Sequence, residues 1–184
     1  LLRIFAAPVA DRLYAVGADP AEGNPRSDES AALVLDAQTG AQVALLAGLL
    51  EPEPFAACCA TLCAYYNDAP LLAERNNHGH TVLAWLRSTP VELLRGIDGK
   101  PGWLTTSATK PLLYNALALT VREGALLLHD EATATQLASI DAISLRAPEA
   151  LHDDRAMALA LALRATAQVD YHATPPIAPH FDAF

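Results

Sequence analysis

The sequence predicts a single α/β domain whose mixed sheet carries helices on both faces. Three short apolar segments separated by turn residues come first, and segments with helical and strand patterns alternate after them. The chain has 184 residues, of which 52% are hydrophobic and 18% are charged. This length and composition are typical of one compact domain with a substantial core, and they exclude a disordered chain.

The first three strands are predicted to be antiparallel. Residues 12–18 are apolar and contain Tyr and Val, which favours a central strand, whereas residues 20–30 have the Gly, Pro, Asn and Ser content of a loop. Residues 31–36 and 42–47 are apolar segments joined by a short turn that ends in Gly40. This spacing predicts a hairpin, so three antiparallel strands should follow one another.

The middle of the chain is predicted to add helices and parallel strands. Apolar residues at helical spacing predict helices over 52–67 and 80–86. Between them, residues 70–74 read as a short buried strand, and residues 91–94 could form another. A strand reached through a helix is usually parallel to its predecessor, so the sheet is expected to be mixed.

The last third of the chain is predicted to be mainly helical. Helices are predicted over residues 110–123, 131–139 and 153–168, and a strand is predicted over residues 125–129. The final helix is the longest of the three, and its residues 156–163 are all apolar. Together the predicted helices are expected to cover both faces of the sheet.

The predicted domain boundaries leave a short segment at each end. Residues 1–11 are interpreted as a linker cut from a longer polypeptide, residues 12–170 as the domain, and residues 171–184 as an extended, Pro-rich C-terminal tail. No apolar run is long enough to span a bilayer, and the first residues do not form a convincing signal peptide. The sequence therefore predicts neither membrane insertion nor secretion.

The charge balance limits how the domain could hold nucleic acid. The net charge is −9, from 12 Lys and Arg residues against 21 Asp and Glu residues. Such a chain does not present a broad basic surface, so binding to DNA should be weak without a partner domain.

Three acidic positions far apart in the chain suit metal ligands. Asp19 ends the first predicted strand, Glu74 ends the strand over 70–74, and Asp153 and Asp154 open the last helix. Strand ends and helix starts present side chains to a shared surface, where clustered carboxylates need cations to neutralise them. Oxygen ligands favour Mg²⁺ or Mn²⁺, and a pair of such ions is typical of phosphodiester cleavage.

Each acidic residue also has a simpler interpretation. An Asp after a strand is often a turn or N-cap residue, and Asp153 is well placed to cap the last helix. Glu74 could instead form a surface ion pair with Arg75 or Arg155. These alternatives stay open for each residue taken alone.

Four motifs in the same order resemble a known nuclease family. They read GADPAEG at 17–23, ERNNHG at 74–79, GWLTT with TKP at 102–111, and HDDRAMA at 152–158. Together they resemble the C-terminal nuclease domain of the large terminase subunit of tailed phages and related gene-transfer particles. The resemblance implies a ribonuclease H-like fold, with three antiparallel strands followed by parallel strands and with helices on both faces.

The resemblance also implies an activity and its partners. It implies a metal-dependent endonuclease that cuts concatemeric double-stranded DNA during genome packaging, with two divalent ions, Mg²⁺ or Mn²⁺, in the cytoplasm of a bacterial host. The implied partners are an N-terminal ATPase motor domain of the same polypeptide, the portal and the small terminase subunit. The sequence has no Gly-x-x-x-x-Gly-Lys-Ser/Thr loop, so the motor is expected outside it.

The matched motifs assign roles to the acidic residues. Asp19 would bridge both ions, Glu74 would hold the ion beside the leaving oxygen, and Asp154 together with Asp153 would hold the ion that activates water. Neighbours at a helix start point about 100° apart, so which of the two is the direct ligand is left open.

Other residues near the motifs are candidates for substrate contact. Lys110 opens a helix, where a cation is unfavourable for the helix dipole, and this hints at a phosphate partner. Arg75, His78 and His152 flank the acidic residues in sequence and could contact DNA or support the ligands. Asp28 lies in the loop after the first strand, where the resembling family often has an acidic residue, but a turn role is the favoured interpretation.

Two other function classes remain as alternatives. One is a junction resolvase or transposase-like nuclease of the same fold, although resolvases are usually basic, free-standing dimers. The other is a non-catalytic docking module of the packaging motor. A nicking assay with Mn²⁺ separates an enzyme from a docking module.

Overall fold

The computed structural model describes residues 1–24, 28–148 and 152–169. Over these ranges the chain forms five strands and five helices. The strands are β1 (Leu2–Ile4), β2 (Tyr14–Asp19), β3 (Ser30–Asp36), β4 (Gln42–Gly48) and β5 (Leu71–Ala73). The helices are α1 (Pro52–Tyr65), α2 (Gly79–Leu86), α3 (Lys110–Arg122), α4 (Glu131–Ser139) and α5 (Asp154–Thr166).

The five strands form one mixed sheet in the order β1-β4-β3-β2-β5. Strands β2, β3 and β4 are antiparallel neighbours, as predicted. Strand β5 pairs in parallel with β2, with Leu71 opposite Val16. The predicted parallel strand is therefore confirmed, but its partner is β2 rather than β4, because α1 carries the chain across the sheet past β3 and β2.

The two faces of the sheet bury separate cores. Successive residues of a strand point to opposite faces, so Val16 and Ala18 pack in the core formed with α1 and α2. Ala15, on the other face, packs in the core formed with α3 and α5. Helices on both faces are thus confirmed, and alternation places Asp19 on the same face as α5.

Helix α5 lies unusually close to β2. A Cβ atom added at Gly17 would lie 2.1 Å from the carbonyl oxygen of Ala158 and 2.1 Å from the backbone nitrogen of Ala162. Only glycine fits at this crossing, and the small, buried side chains of α5 allow the same approach from the other side. This contact fixes the start of α5 beside Asp19 at the end of β2.

Two segments predicted as strands form only single bridges. Leu127 bridges to Ala41, and Leu93 bridges to Leu71, without extending into named strands. The prediction of a strand over residues 125–129 is therefore wrong. The outer edge of β4 is already paired with β1 from Ala44 onward, so this segment meets only the start of β4.

The segment predicted as a linker, residues 1–11, includes β1. Leu2 lies opposite Leu46 of β4, so this segment adds an edge strand to the sheet. The predicted tail, residues 171–184, lies outside the described residues. Among the helices that the structure describes, none combines the length and apolar character needed to cross a bilayer.

Candidate active site

An acidic cleft opens where β2 and β5 end and α5 begins. Its volume is about 410 Å³. Of the described residues that line it, seven carry carboxylates and Lys110 alone is a lysine or arginine. The acidic lining residues are Asp19, Glu22, Asp28, Glu29, Glu74, Asp153 and Asp154. The cleft therefore concentrates negative charge with little to offset it.

Asp19 is the last residue of β2 and lines this cleft. Burial raises the pKa of the Asp19 carboxyl well above its usual value, and the neighbouring carboxylates of Glu74 and Asp154 raise it further. A carboxyl group in this setting resists ionisation because each added charge repels the others. Ionisation of Asp19 is therefore unfavourable unless a positive charge lies nearby.

Glu74 reaches the same cleft from the end of β5. Its backbone nitrogen donates to the Ala18 carbonyl at 2.8 Å, which continues the parallel pairing of β5 with β2. Alternation places it on the face shared with Leu72 and α5. A Cβ atom at Gly79 would lie 1.9 Å from the Glu74 carbonyl oxygen, so α2 can begin this close only with glycine there.

Asp153 and Asp154 both line the cleft from the start of α5. Asp154 is buried, with 7% of its surface exposed. Burial, and then the nearby Asp28 carboxylate, raises the pKa of Asp154 to about 7, although the Glu29 backbone N–H opposes the shift. Asp153 stands at the N-cap position, but its side chain makes no capping hydrogen bond.

Lys110 and Tyr114 of α3 pack beside Asp153. The Lys110 ammonium pairs with Asp153 Oδ2 at 3.0 Å and lies 5.3 Å from the centre of the Tyr114 ring. The Tyr114 hydroxyl is buried and has no hydrogen-bond partner among the described residues. Burial raises the pKa of Tyr114, and the Asp153 and Asp19 carboxylates raise it further.

Asp28 and His152 form a pair that the sequence interpretation missed. His152 Nδ1 lies 2.6 Å from Asp28 Oδ1. These two residues and Asp154 each offer one ligand atom within 4.8 Å of the others. The sequence favoured a turn role for Asp28, and the acidic position after the first strand in the resembling family was the signal for a site role.

Only some of the predicted substrate contacts lie in the cleft. Lys110 and His78 line the cleft, whereas His152 approaches it through Asp28. Arg75 is buried and pairs with Asp98, so its guanidinium is not among the cleft-lining groups.

The segment before α3 is tied to the Glu74 loop. The Asn76 side chain donates to the Thr105 carbonyl at 2.8 Å and accepts from the Thr105 backbone nitrogen at 2.9 Å. Trp103, whose backbone pairs with Ala73, is fully buried. These contacts fix where Lys110 enters the cleft.

The donor set fits a hard divalent cation. Carboxylate oxygens from β2, the residue after β5 and the start of α5 converge on one cleft, and two of these carboxyls have raised pKa values. A bound cation would offset the repulsion that raises them.

Three antiparallel strands with a parallel strand beside the first of them form a ribonuclease H-like fold, and acidic residues stand at the ends of β2 and β5. More particularly, the fold is that of the nuclease domain of phage large terminases. The chain is similar to the large terminase nuclease from thermophilic phage G20c with bound cobalt, with 24% identity and a TM-score of 0.75. The match covers 89% of this chain and 86% of that chain.

Two further solved structures give the same result. The G20c nuclease with bound magnesium matches with 24% identity and a TM-score of 0.74, over 89% of this chain and 86% of that chain. The large terminase nuclease domain of Thermus phage P74-26 matches with 25% identity and a TM-score of 0.71, over 88% of this chain and 83% of that chain. Neither a protein-family model nor a curated protein matches the sequence. The fold predicted from the four motifs is thus confirmed.

Proposed function

We propose that this chain is a metal-dependent DNA endonuclease that cuts concatemeric viral DNA during genome packaging. The observation that carries the proposal is the set of mutually repelling carboxylates, Asp19, Glu74, Asp153 and Asp154, that line one cleft. Further support comes from the similar large terminase nucleases, whose structures contain bound cobalt, magnesium or zinc.

Asp19, Glu74 and Asp154, with Asp153, are the residues proposed to hold two divalent ions, Mg²⁺ or Mn²⁺. When bound, such ions polarise the scissile phosphate, stabilise the leaving oxygen and supply a hydroxide nucleophile. Asp19 stands between the other carboxylates and is proposed to be shared by both ions. Asp28 and His152, whose ligand atoms lie within 4.8 Å of that of Asp154, are proposed to extend the donor set.

Substrate contact is proposed to depend on few side chains. Lys110 lies on the cleft wall, where its ammonium can move from Asp153 to a phosphate oxygen. His78 lies on the same wall. Arg75 remains a weaker proposal, because its guanidinium would have to leave Asp98 to reach DNA.

The net charge of −9 supports a domain that acts within a larger assembly. Few phosphate contacts give low affinity and little sequence preference, because phosphates carry no base identity. The resemblance to large terminases supplies the proposed partners, which are an ATPase motor domain of the same polypeptide, the portal and the small terminase subunit. This activity would take place in the cytoplasm of a bacterial host.

Nicking of supercoiled plasmid tests the proposal. The purified chain should nick and linearise plasmid with Mn²⁺ and should be inactive in EDTA. Glu74→Gln keeps the side-chain shape and removes the ligand charge, so it should abolish nicking, whereas Glu53→Gln on the exposed surface of α1 should not. Activity that persists in EDTA, or equal activity in the Glu74 variant, would contradict the proposal.

A further inference from the structure

A chain of ion pairs runs from the edge strand β1 to the wall of the acidic cleft. Arg3 donates to Asp130 Oδ1 at 2.8 Å, and Arg155 donates to Asp130 Oδ2 at 3.1 Å. Arg155 also pairs with Glu29, which lines the cleft. The last link is the Glu29 backbone nitrogen, which donates to Asp154 Oδ2 at 3.2 Å.

Arg155 donates two parallel hydrogen bonds to the Glu29 carboxylate. Its Nε donates to Glu29 Oε1, and its Nη2 donates to Glu29 Oε2 at 3.1 Å. Both side chains are mostly buried, with 19% and 23% of their surface exposed. Bidentate pairs of this kind fix orientation as well as distance. The side chain of Glu29, and hence its backbone, is held against α5.

Asp130 anchors Arg155 from the other side. Its side chain has no exposed surface. Asp130 Oδ2 accepts from the Thr133 backbone nitrogen and the Thr133 hydroxyl, each at 2.8 Å, at the start of α4. The Arg155 backbone nitrogen donates to Gln136 Oε1 at 2.9 Å, which joins α4 to α5 a second time.

We propose that Arg155 is a positioning residue that holds the Asp28–Glu29 segment against Asp154 and so sets the geometry of the metal-binding carboxylates. This inference rests on the proposed function and deepens it. All three side-chain nitrogens of Arg155 are occupied by the two carboxylates of Glu29 and Asp130, so Arg155 is not proposed to contact DNA. Asp130 and Glu29 are the two partners through which Arg155 acts.

The expected size of the effect follows from the behaviour of groups that orient metal ligands. Losing such a group typically weakens metal affinity or activity about 10- to 100-fold. Arg155→Gln should therefore weaken Mn²⁺ binding about 10-fold. Arg155→Lys keeps the charge but loses the planar fork, so its affinity should fall between those of the wild type and Arg155→Gln.

The test is a double-mutant cycle on Mn²⁺ affinity, measured by calorimetry with the whole chain. Arg155→Gln, Glu29→Gln and the double variant are compared, with the melting temperature in EDTA recorded for each. Arg12→Gln is the matched control, because Arg12 also pairs with a buried carboxylate, Asp36, at 2.8 Å and does not line the cleft.

If Arg155 acts through Glu29, adding Arg155→Gln to Glu29→Gln should change the Mn²⁺ affinity less than twofold, whereas Arg155→Gln alone weakens it about 10-fold. Arg12→Gln should leave the affinity unchanged even where it lowers the melting temperature. Wild-type affinity in Arg155→Gln, or fully additive losses in the double variant, would overturn the inference.

The same data separate this inference from the proposed function. Normal Mn²⁺ binding by a wild-type chain that cuts no DNA overturns the proposed function and leaves the positioning role intact. DNA cleavage by the wild type with unchanged Mn²⁺ affinity in the Arg155 variants overturns the positioning role alone. Absence of Mn²⁺ binding by the wild type overturns both.

Discussion

The carboxylates at the two ends of strand β2 lie in opposite surroundings. Near its start, Tyr14 lies opposite Asp36, whose carboxylate accepts from Arg12 at 2.8 Å and from the Gln38 backbone nitrogen at 2.9 Å. At its far end, Asp19 faces Glu74 and the start of α5, and no arginine is among the described residues that line this cleft.

The pKa values record this difference. Burial alone would raise the pKa of Asp36, but hydrogen bonds from Arg12 and the turn after β3 lower it below the usual value. Burial and like charges raise the pKa of Asp19 instead. The hydrogen bonds to Asp36 favour its ionised form in the folded state, whereas the surroundings of Asp19 disfavour its ionised form. Buried carboxyl groups with raised pKa values often cluster at functional sites.

The largest expected effect is the loss of activity at the Asp19 end. Asp19→Asn keeps the shape of the side chain and removes its charge. Plasmid nicking with Mn²⁺ should fall by more than ~100-fold, because losing a residue that only orients a metal ligand already lowers affinity or activity 10- to 100-fold. The same change should raise the melting temperature in EDTA, because it relieves repulsion.

Asp68→Asn serves as the control, because Asp68 is exposed and its positive φ of 56° suits Asn. Its nicking rate should equal that of the wild type. Full activity in Asp19→Asn would remove Asp19 from the site.

A smaller effect is expected at the cleft wall. Lys110→Gln should lower the nicking rate about 10-fold, because Lys110 both holds Asp153 and offers a positive charge to phosphate. The chain has one other lysine, Lys100, which is exposed outside the cleft. Lys100→Gln should have no comparable effect, and equal losses in the two variants would argue against a specific role for Lys110.

At the end of β2 beside Asp36, a substitution should affect stability and not activity. Asp36→Ala removes the acceptor of charged and backbone hydrogen bonds at a buried position, which should cost about 1.5–3 kcal/mol of unfolding free energy in urea. Mn²⁺ affinity should stay at the wild-type value. A loss of Mn²⁺ affinity would mean that the two ends of β2 are coupled.

The smallest expected effect is a pH dependence of stability in EDTA. The folded pKa of Asp154 is about 7, above the unfolded value near 3.9, so the folded state binds more protons between these values. The stability of the metal-free protein should therefore fall as pH rises through this window. Between about pH 5.5 and pH 7.5 the melting temperature should drop by about 2–6 °C.

Asp154→Asn should flatten this dependence, as should saturating Mn²⁺, which stabilises the ionised carboxylates. The arginine-paired carboxylates such as Asp36 lose their contribution only at lower pH, below the usual Asp value, so they do not mask the trend. A melting temperature that rises over this window in EDTA would contradict the assigned pKa direction.

The sequence predicted the elements with strong patterns. Helix α4 has the predicted bounds, Glu131–Ser139, and the hairpin of β3 and β4 was predicted within one residue at each end. Strand β1 was missed because three residues are too few to show a strand pattern, and its pairing with β4 is a long-range contact. Local pattern cannot report such pairings.

In the candidate site, too, residues placed by local structure were predictable, whereas contacts between distant parts of the chain were not. Four candidate ligands could be predicted from the sequence because they stand at the ends of strands or at a helix start, where the strand or helix fixes the direction of the side chain: Asp19, Glu74, Asp153 and Asp154. The side chain of Arg75 could not be placed, because its partner Asp98 lies in a loop 23 residues away. Asp28 and His152, 124 residues apart, meet only in the folded chain.

The most direct test of the proposed metal site is a crystal soaked in Mn²⁺ and measured at the manganese absorption edge. Anomalous peaks are expected between Asp19, Glu74 and the Asp153–Asp154 pair, with two ions roughly 3.5–4 Å apart when DNA is present. Anomalous peaks only outside this cleft, under conditions in which the chain cleaves DNA, would contradict it.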